Sequence, residues 1–414
     1  MEPQTFLVLA VGLIAFGLVS AKLSNSILTA PILFVAFGIA AGPLGLHLVN
    51  VDFSGEAIEL IAEITLVLVL YTDAARIDVR TLWRYHNLPS RMLLIGLPLT
   101  ILAGALAALA IFPGLPIFEA ALLAAILAPT DAALGQAVVT NKAVPVRIRQ
   151  TLNAESGLND GIALPVVLVF VSLAMAMEGP AQSASEWITF GALQVTLGPL
   201  AGLAVGYAGG RLIDRASEAG WMTRAFQGLG ALAELIGGNG FIAAFVAGVT
   251  VGNVHRGMCE FLFDFVEEEG QLLTLLTFFL FGAVMVPQVI DDITVSVFLY
   301  AVASLTIVRI IPVILSLLGT GLNLPTWLFL GWFGPRGLAS ILFALLVLGE
   351  NESAQAAVIM ATVVMTVFLS VLLHGVTAAP GARWYSRVVG RMGECEETQP
   401  VTEIPTRFRD TNSN

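Results

Sequence analysis

The sequence predicts an all-α polytopic membrane protein of about thirteen transmembrane helices, and three observations carry that prediction. Of its 414 residues 57% are hydrophobic and only 12% are charged, with a mean hydropathy of +0.88. A water-soluble domain carries roughly 25% charged residues, so this chain cannot cover a water-exposed surface and must be solvated mainly by lipid. The apolar residues gather into segments matching the roughly 20 residues that cross a hydrocarbon core of about 30 Å. The basic residues fall in alternate connections between those segments.

The first segment, 5–23, has no basic residue ahead of it and runs on into further apolar stretches, so it reads as a first span rather than a cleaved signal. Spans 27–46, 57–74 and 90–112 follow, separated by polar or charged connections. The fifth, 115–139, is interrupted by Ala-Pro-Thr-Asp-Ala at 128–132, and the sixth, 148–177, carries the densest polar cluster. The seventh, 187–213, reads as a linker. The eighth and ninth, 223–236 and 239–254, are short and parted only by Gly237 and Gly238; without a turn there the count falls to twelve. The last four are 267–290, 293–318, 324–348 and 354–378, and the twelfth is interrupted by Gly-Pro-Arg-Gly at 334–337. The polar, mixed-charge tail 392–414 is expected to be disordered and cytoplasmic.

With the N-terminus outside, 17 of the 19 basic residues lie in internal connections or the tail, and the other two, Arg309 and Arg336, lie inside spans. The external loops are short and mildly acidic. This partition places the C-terminus in the cytoplasm of a multi-pass cell (inner) membrane protein. The net charge of -11 and the lack of a dense basic run exclude nucleic acid as a partner. Cys259 and Cys395 are far apart and have no CxxC partner, so neither a zinc site nor a disulfide framework is indicated.

Proline beside a charge in mid-membrane breaks the helical hydrogen-bond ladder, which is tolerated only where protein or a cavity receives the freed groups. Two such breaks, in the fifth and twelfth spans, point to an inverted-repeat transporter with its site at the midplane. The spacing between them is odd, so the halves have opposite topology: repeat one at about 5–177, the linker helix, and repeat two at about 223–378.

Ionisable residues within spans mark a functional pathway. Here they are Asp73, Asp131, Glu155, Asp160, Arg309 and Arg336, with Glu59, Glu63, Glu119 and Glu234 nearer to span ends. In Glu155-Ser156-Gly157-Leu158-Asn159-Asp160, helical spacing sets Ser156 in line with Asp160 and Glu155 in line with Asn159, so two adjacent stripes present oxygen ligands. Asp160 is the expected carrier. A carboxylate in a half-dry cavity exchanges a proton, while a bound monovalent cation stabilises its charged form. The two then compete for one group, and exchange needs no cofactor. The plainer reading is a carboxylate locked in a structural network. Asp131 either N-caps the half-helix after the break or ligates directly, whereas the Thr130 carbonyl, freed by the break, is the better ligand candidate. Asp73 is either a ligand or an interfacial partner of Arg76. The arginines cannot give up their protons; each must pair with a carboxylate or oppose a helix dipole, and Glu155 suits one of them. Arg336 mirrors Asp131, a cation at the negative end of one half-helix facing an anion at the positive end of another.

Thr130-Asp131, Glu155-Ser156, Asn159-Asp160, the run Gly-Asn-Gly-Phe-Ile-Ala-Ala-Phe-Val-Ala-Gly at 238–248 and Gly334-Pro335-Arg336-Gly337 together resemble the monovalent cation:proton antiporters of the NhaP type, relatives of the animal sodium/proton exchangers. The resemblance covers the membrane part to about His374. It implies a dimerisation domain beside a six-helix core, homodimers and elevator-like alternating access. It further implies that Asp160, Ser156, the Thr130 carbonyl and Asp73 surround the cation, that Asn159 supports Asp160, and that Glu155 pairs with Arg309. Asn159 standing where electrogenic relatives have a second aspartate implies electroneutral, one-for-one exchange of sodium or lithium for a proton. Potassium is the alternative ion. A cation channel and an intramembrane aspartyl protease are the rival classes, and a solute symporter of similar fold is a third. The acidic-aromatic stretch 260–269 reads as a surface-lying amphipathic turn, and His47, His86, His255 and His374 as interfacial residues near span ends.

Overall fold

The computed structural model describes residues 3–23, 29–49, 56–75, 87–178, 240–254, 260–348, 354–393 and 395–399, with isolated positions between 200 and 215. Among the described residues the chain is helical, without strands. Its helices are α1 (Pro3–Leu23), α2 (Ala30–Ala41), α3 (Glu56–Ala75), α4 (Asn87–Ile111), α5 (Ile117–Ile126), α6 (Ala132–Val139) and α7 (Val146–Glu178). The second half has α8 (Gly240–Val254), α9 (Glu260–Leu280), α10 (Val295–Leu305), α11 (Ile307–Leu317), α12 (Leu324–Trp332), α13 (Leu338–Leu348) and α14 (Ala354–Val389). The expected seventh span lies mostly, and the eighth entirely, outside the described residues, as does Cys259. Five stretches, in α4, α7, α9 and its extension, α10–α11 and α14, are long and apolar enough to cross a membrane by themselves.

Polarity is distributed as lipid solvation requires. Large apolar side chains face outward, with Leu18 83% and Val295 77% exposed, while many hydroxyls are turned inward. Many of those hydroxyls are satisfied within their own helices: Thr72 donates to Leu68 O, Thr100 to Gly96 O and Thr366 to Thr362 O. This i to i−4 bond is how serine and threonine are accommodated where no water competes. Close helix contacts rest on glycine, the general device of membrane helix packing. A Cβ at Gly248 or Gly252 of α8 would run into the α3 carbonyls of Tyr71 and Ala75, and Gly38 and Gly282 allow α2 and the α9 extension to meet backbone to backbone.

The two proline breaks are real. Residue 128 precedes Pro129 and is biased away from the helical region, and α5 ends at Ile126. The chain crosses in extended form to Asp131 before α6 begins. Likewise α12 ends at Trp332, and Gly334-Pro335-Arg336-Gly337 separates it from α13. A further irregularity, at Thr306 (φ −117°, ψ −93°), divides α10 from α11 three residues ahead of Arg309.

Several expectations need correction. Residues 260–269 are not a separate surface turn; they form the first half of the continuous α9. Among the described residues of the second span, the helix covers Ala30–Ala41 and the chain then turns. The last helix does not stop at 378 but continues to Val389. The tail is docked, at least through residue 399: a 3-10 turn, Glu396–Thr398, places the buried Glu397 carboxylate on the N-terminus of α12. There Glu397 accepts from Asn323 N (2.8 Å) and Thr326 Oγ1 (2.8 Å), while Glu396 pairs with Arg147 of α7 (2.7 Å). Burial pushes the Glu397 carboxyl up, but the donors from Asn323 and Thr326 outweigh it and hold the group below the ordinary carboxylate range.

Candidate functional site

The site is assembled where the α5–α6 break crosses the α12–α13 break. Breaking a helix exposes carbonyls at the end of the first half and N–H groups at the start of the second, and here each break supplies partners to the other. Asp131 Oδ1 accepts from Ala133 N at 2.7 Å, capping α6, and its Oδ2 accepts from Leu338 N, also at 2.7 Å, capping α13. One carboxylate thus faces the positive ends of two half-helices. Asp131 N donates in turn to Pro335 O (2.8 Å). The carbonyls at the end of α5 are received from the other side: Arg336 Nη1 donates to Ala128 O (2.8 Å) and Pro129 O (3.3 Å), and Ser340 Oγ to Ile126 O (2.8 Å). Gly337 is required here because a Cβ would overlap the Asp131 carboxylate.

With its neighbours committed in this way, Thr130 is addressed from α7. Ser156 Oγ donates to the Thr130 carbonyl at 2.6 Å, and Asn159 Nδ2 to Thr130 Oγ1 at 2.6 Å. Asp160, also buried, lies one turn beyond Ser156, about 6 Å along the axis. Asp73, at the end of α3, is buried too, and its carbonyl lies 3.7 Å from where a Cβ on Gly157 would stand. A narrow cleft, with room for about one water-sized sphere, opens onto Thr130, Asp131 and Ser156 between Val138 and Val139 of α6, Leu152 of α7 and Phe333 and Pro335 of the second break. It approaches the site from the side on which α6 ends and α7 begins.

Glu155 on the neighbouring stripe turns away to Arg309, with Nη2 at 2.6 Å from Oε1 and 2.8 Å from Oε2. Both members are buried, Glu155 at 2% exposure and Arg309 at 1%. Truncating one member of such a pair costs about 3–5 kcal/mol because the other charge is left without compensation. Gly334 makes room for the Arg309 guanidinium, since a Cβ there would stand 2.5 Å from Nε.

The structure therefore brings together Thr130, Asp131, Glu155, Ser156, Asn159, Asp160, Arg309 and Arg336, with Asp73 at the margin. Of the lesser acids, Glu119 is buried and Glu63 exposed, and the side chains of Glu59 and Glu234, like Arg76, lie outside the described residues. The reading of His374 as interfacial is wrong. It is buried in α14 beside the crossing, with Nε2 at 2.8 Å from Trp332 O and its ring stacked on Trp332. Ser370, Ser340 and His374 were all missed. A signal for two of them existed: Ser370, His374 and Thr377 form a polar i, i+4, i+7 stripe in an otherwise apolar helix.

Comparison with known proteins identifies the family. The family model "sodium/hydrogen exchanger, transmembrane" matches residues 5–384. The K(+)/H(+) antiporter NhaP of Alkalimonas amylolytica is 28% identical over 98% of this chain and 71% of its own length. The Na(+)/H(+) antiporter of Saccharomyces cerevisiae is 28% identical over 77% of this chain, which spans 35% of that longer protein. The structure of the sodium proton antiporter MjNhaP1 from Methanocaldococcus jannaschii superposes with a TM-score of 0.76 at 20% identity, covering 92% of this chain and 97% of that one, a likeness of fold. The chain belongs to the transmembrane sodium/hydrogen exchanger family.

Proposed function

We propose that the chain is a secondary transporter that exchanges a monovalent cation for a proton, one for one and without a cofactor. The supporting observation is the division of labour at the crossing. The charges of Asp131, Arg336, Glu155 and Arg309 are committed to helix ends and to each other, and the cleft is lined by Thr130, Asp131 and Ser156, one helical turn from Asp160. Asp160 is the group that binds cation and proton in turn, with Ser156, the Thr130 carbonyl and Asp73 as further ligands and Asn159 holding Thr130 in place. Asp131 serves as a cap, its two oxygens occupied by backbone N–H groups. That use also speaks against an aspartyl protease, which needs two carboxylates facing one another and sharing a proton.

Competition for a single carboxylate makes alternation obligatory: proton binding removes the charge that holds the cation, and cation binding stabilises the deprotonated form. The protein works as a homodimer in the cell membrane with its N-terminus outside and its C-terminus in the cytoplasm, so the cleft faces the cytoplasm. Sodium or lithium is the expected ion. Potassium is the second reading, favoured by the name of the Alkalimonas relative.

The test is proton flux in proteoliposomes driven by sodium, lithium or potassium gradients, with and without an imposed potential. Exchange with the favoured ion should be insensitive to the potential, and Asp160→Asn should abolish it in a protein that still elutes as a folded dimer. Full exchange by that variant would sink the mechanism.

A further inference from the structure

We infer that Ser370 and His374 of α14 are positioning residues for cation binding, acting on the ligand Thr130 through the backbone of the second break. This rests on the transport reading above. Four hydrogen bonds carry the inference. The Arg336 backbone N–H donates to Ser370 Oγ at 2.7 Å. His374 Nε2 faces the Trp332 carbonyl at 2.8 Å, and a carbonyl only accepts, so Nε2 carries a proton. Nδ1 faces both the Ser370 carbonyl at 3.0 Å and the Ser370 hydroxyl at 3.2 Å; a neutral ring carries one proton, the contact at Nε2 is the shorter, and with the proton there Nδ1 accepts from the hydroxyl. The relay runs from Arg336 N–H through Ser370 and His374 to Trp332 O, spanning both ends of the break. Trp332 Nε1 is anchored to Thr377 Oγ1 at 3.0 Å, so the far end is tied to α14 twice.

What the relay fixes is the path of Pro335 and Arg336. Pro335 O accepts from Asp131 N, and Arg336 Nη1 holds the carbonyls of Ala128 and Pro129. These bonds bracket Thr130, whose carbonyl meets Ser156. A shift of the second break therefore moves a ligand of the cation without touching Asp160. Functionally, His374 does for the carbonyl end of α12 what Arg336 does for that of α5.

The test compares Ser370→Ala, His374→Leu and His374→Gln in the full chain, each reconstituted after size-exclusion and thermal-unfolding checks. Sodium and potassium concentrations for half-maximal exchange and the maximal rates are read separately. Ser370→Ala and His374→Leu should raise the half-saturating concentration about tenfold, the worth of one buried hydrogen bond, with a smaller change in maximal rate. His374→Gln, which returns an N–H at the Nε2 position, should recover to within about threefold of the parent. Unchanged half-saturation in Ser370→Ala beside a normally exchanging parent overturns the inference. So does a His374→Gln variant as impaired as His374→Leu, because ring volume and not the N–H would then matter. Should His374→Leu fail to fold, Ser370→Ala, which removes one oxygen, decides alone. A parent that moves neither ion overturns the transport reading, and this inference with it.

Discussion

The two broken helices are built to the same plan and compensated differently. In both, proline ends the first half and the second half starts on Asp131, which caps α6 with one oxygen and α13 with the other. At the carbonyl ends they part. The end of α5 meets the guanidinium of Arg336 and the hydroxyl of Ser340, whereas Trp332 O at the end of α12 meets an imidazole N–H. An inverted repeat thus repeats the backbone solution without repeating the chemistry. A freed carbonyl needs a donor, and the donor's charge is set by what else lies nearby. At α5 the donor is the fully buried Arg336, whose Nη1 spans the carbonyls of Ala128 and Pro129. At α12 the Arg309 guanidinium already lies against Gly334, and a second full charge would go uncompensated.

The comparison can be broken most severely at its shared point. Asp131→Ala strips the acceptor from both half-helices at once and should lower stability by about 3 kcal/mol or more, read as a large fall in unfolding temperature in detergent. If it is milder than any variant touching one break only, the shared cap is not what holds the crossing. Arg336→Met leaves the carbonyls of Ala128 and Pro129 without their donor. A loss of about 2–3 kcal/mol is expected, along with weaker cation binding because Thr130, the proposed ligand, is next in the chain. Comparison with the His374 variants then measures how much more the charged donor contributes than the neutral one. The smallest effect is expected outside the membrane, where Glu397 caps α12 from the tail. Glu397→Gln should cost about 1 kcal/mol or less. Because this carboxyl is held below its ordinary range in the folded protein, its contribution is complete above that range and is lost as the pH falls through the lowered value. The parent and Glu397→Gln should therefore converge in stability on acidification; parallel curves would show that the carboxylate contributes nothing.

Much of the site was legible because its logic is local. Pro129-Thr130-Asp131 announces a break followed by a cap, and Glu155, Ser156, Asn159 and Asp160 fall on adjoining stripes by helical spacing alone. What escaped was partnership across long sequence separations. Asp131 as a cap is visible from its own neighbours, but its second oxygen serves Leu338. The choice between Arg309 and Arg336 as partner of Glu155 depends on the aim of α11, which the irregularity at Thr306 precedes. His374 was misplaced for a specific reason: a ruler set to the hydrocarbon thickness ends the last span at 378, which puts His374 at its edge, whereas α14 continues to Val389. The polar, mixed-charge composition after Arg391 reads as a disordered tail, since nothing around Glu397 signals that Asn323 and Thr326 receive it.

By itself, then, the sequence determined the lipid-solvated class and the two places where the helical ladder must break. These follow from one-dimensional quantities: apolar run length and the chemistry of proline beside charge. The tertiary structure alone decided which group satisfies which freed carbonyl or N–H, and so which charges are committed to architecture. The physical reason is that a buried polar group takes the donor or acceptor within about 3 Å of it, and in a membrane interior without competing water that neighbour is set by how the helices cross.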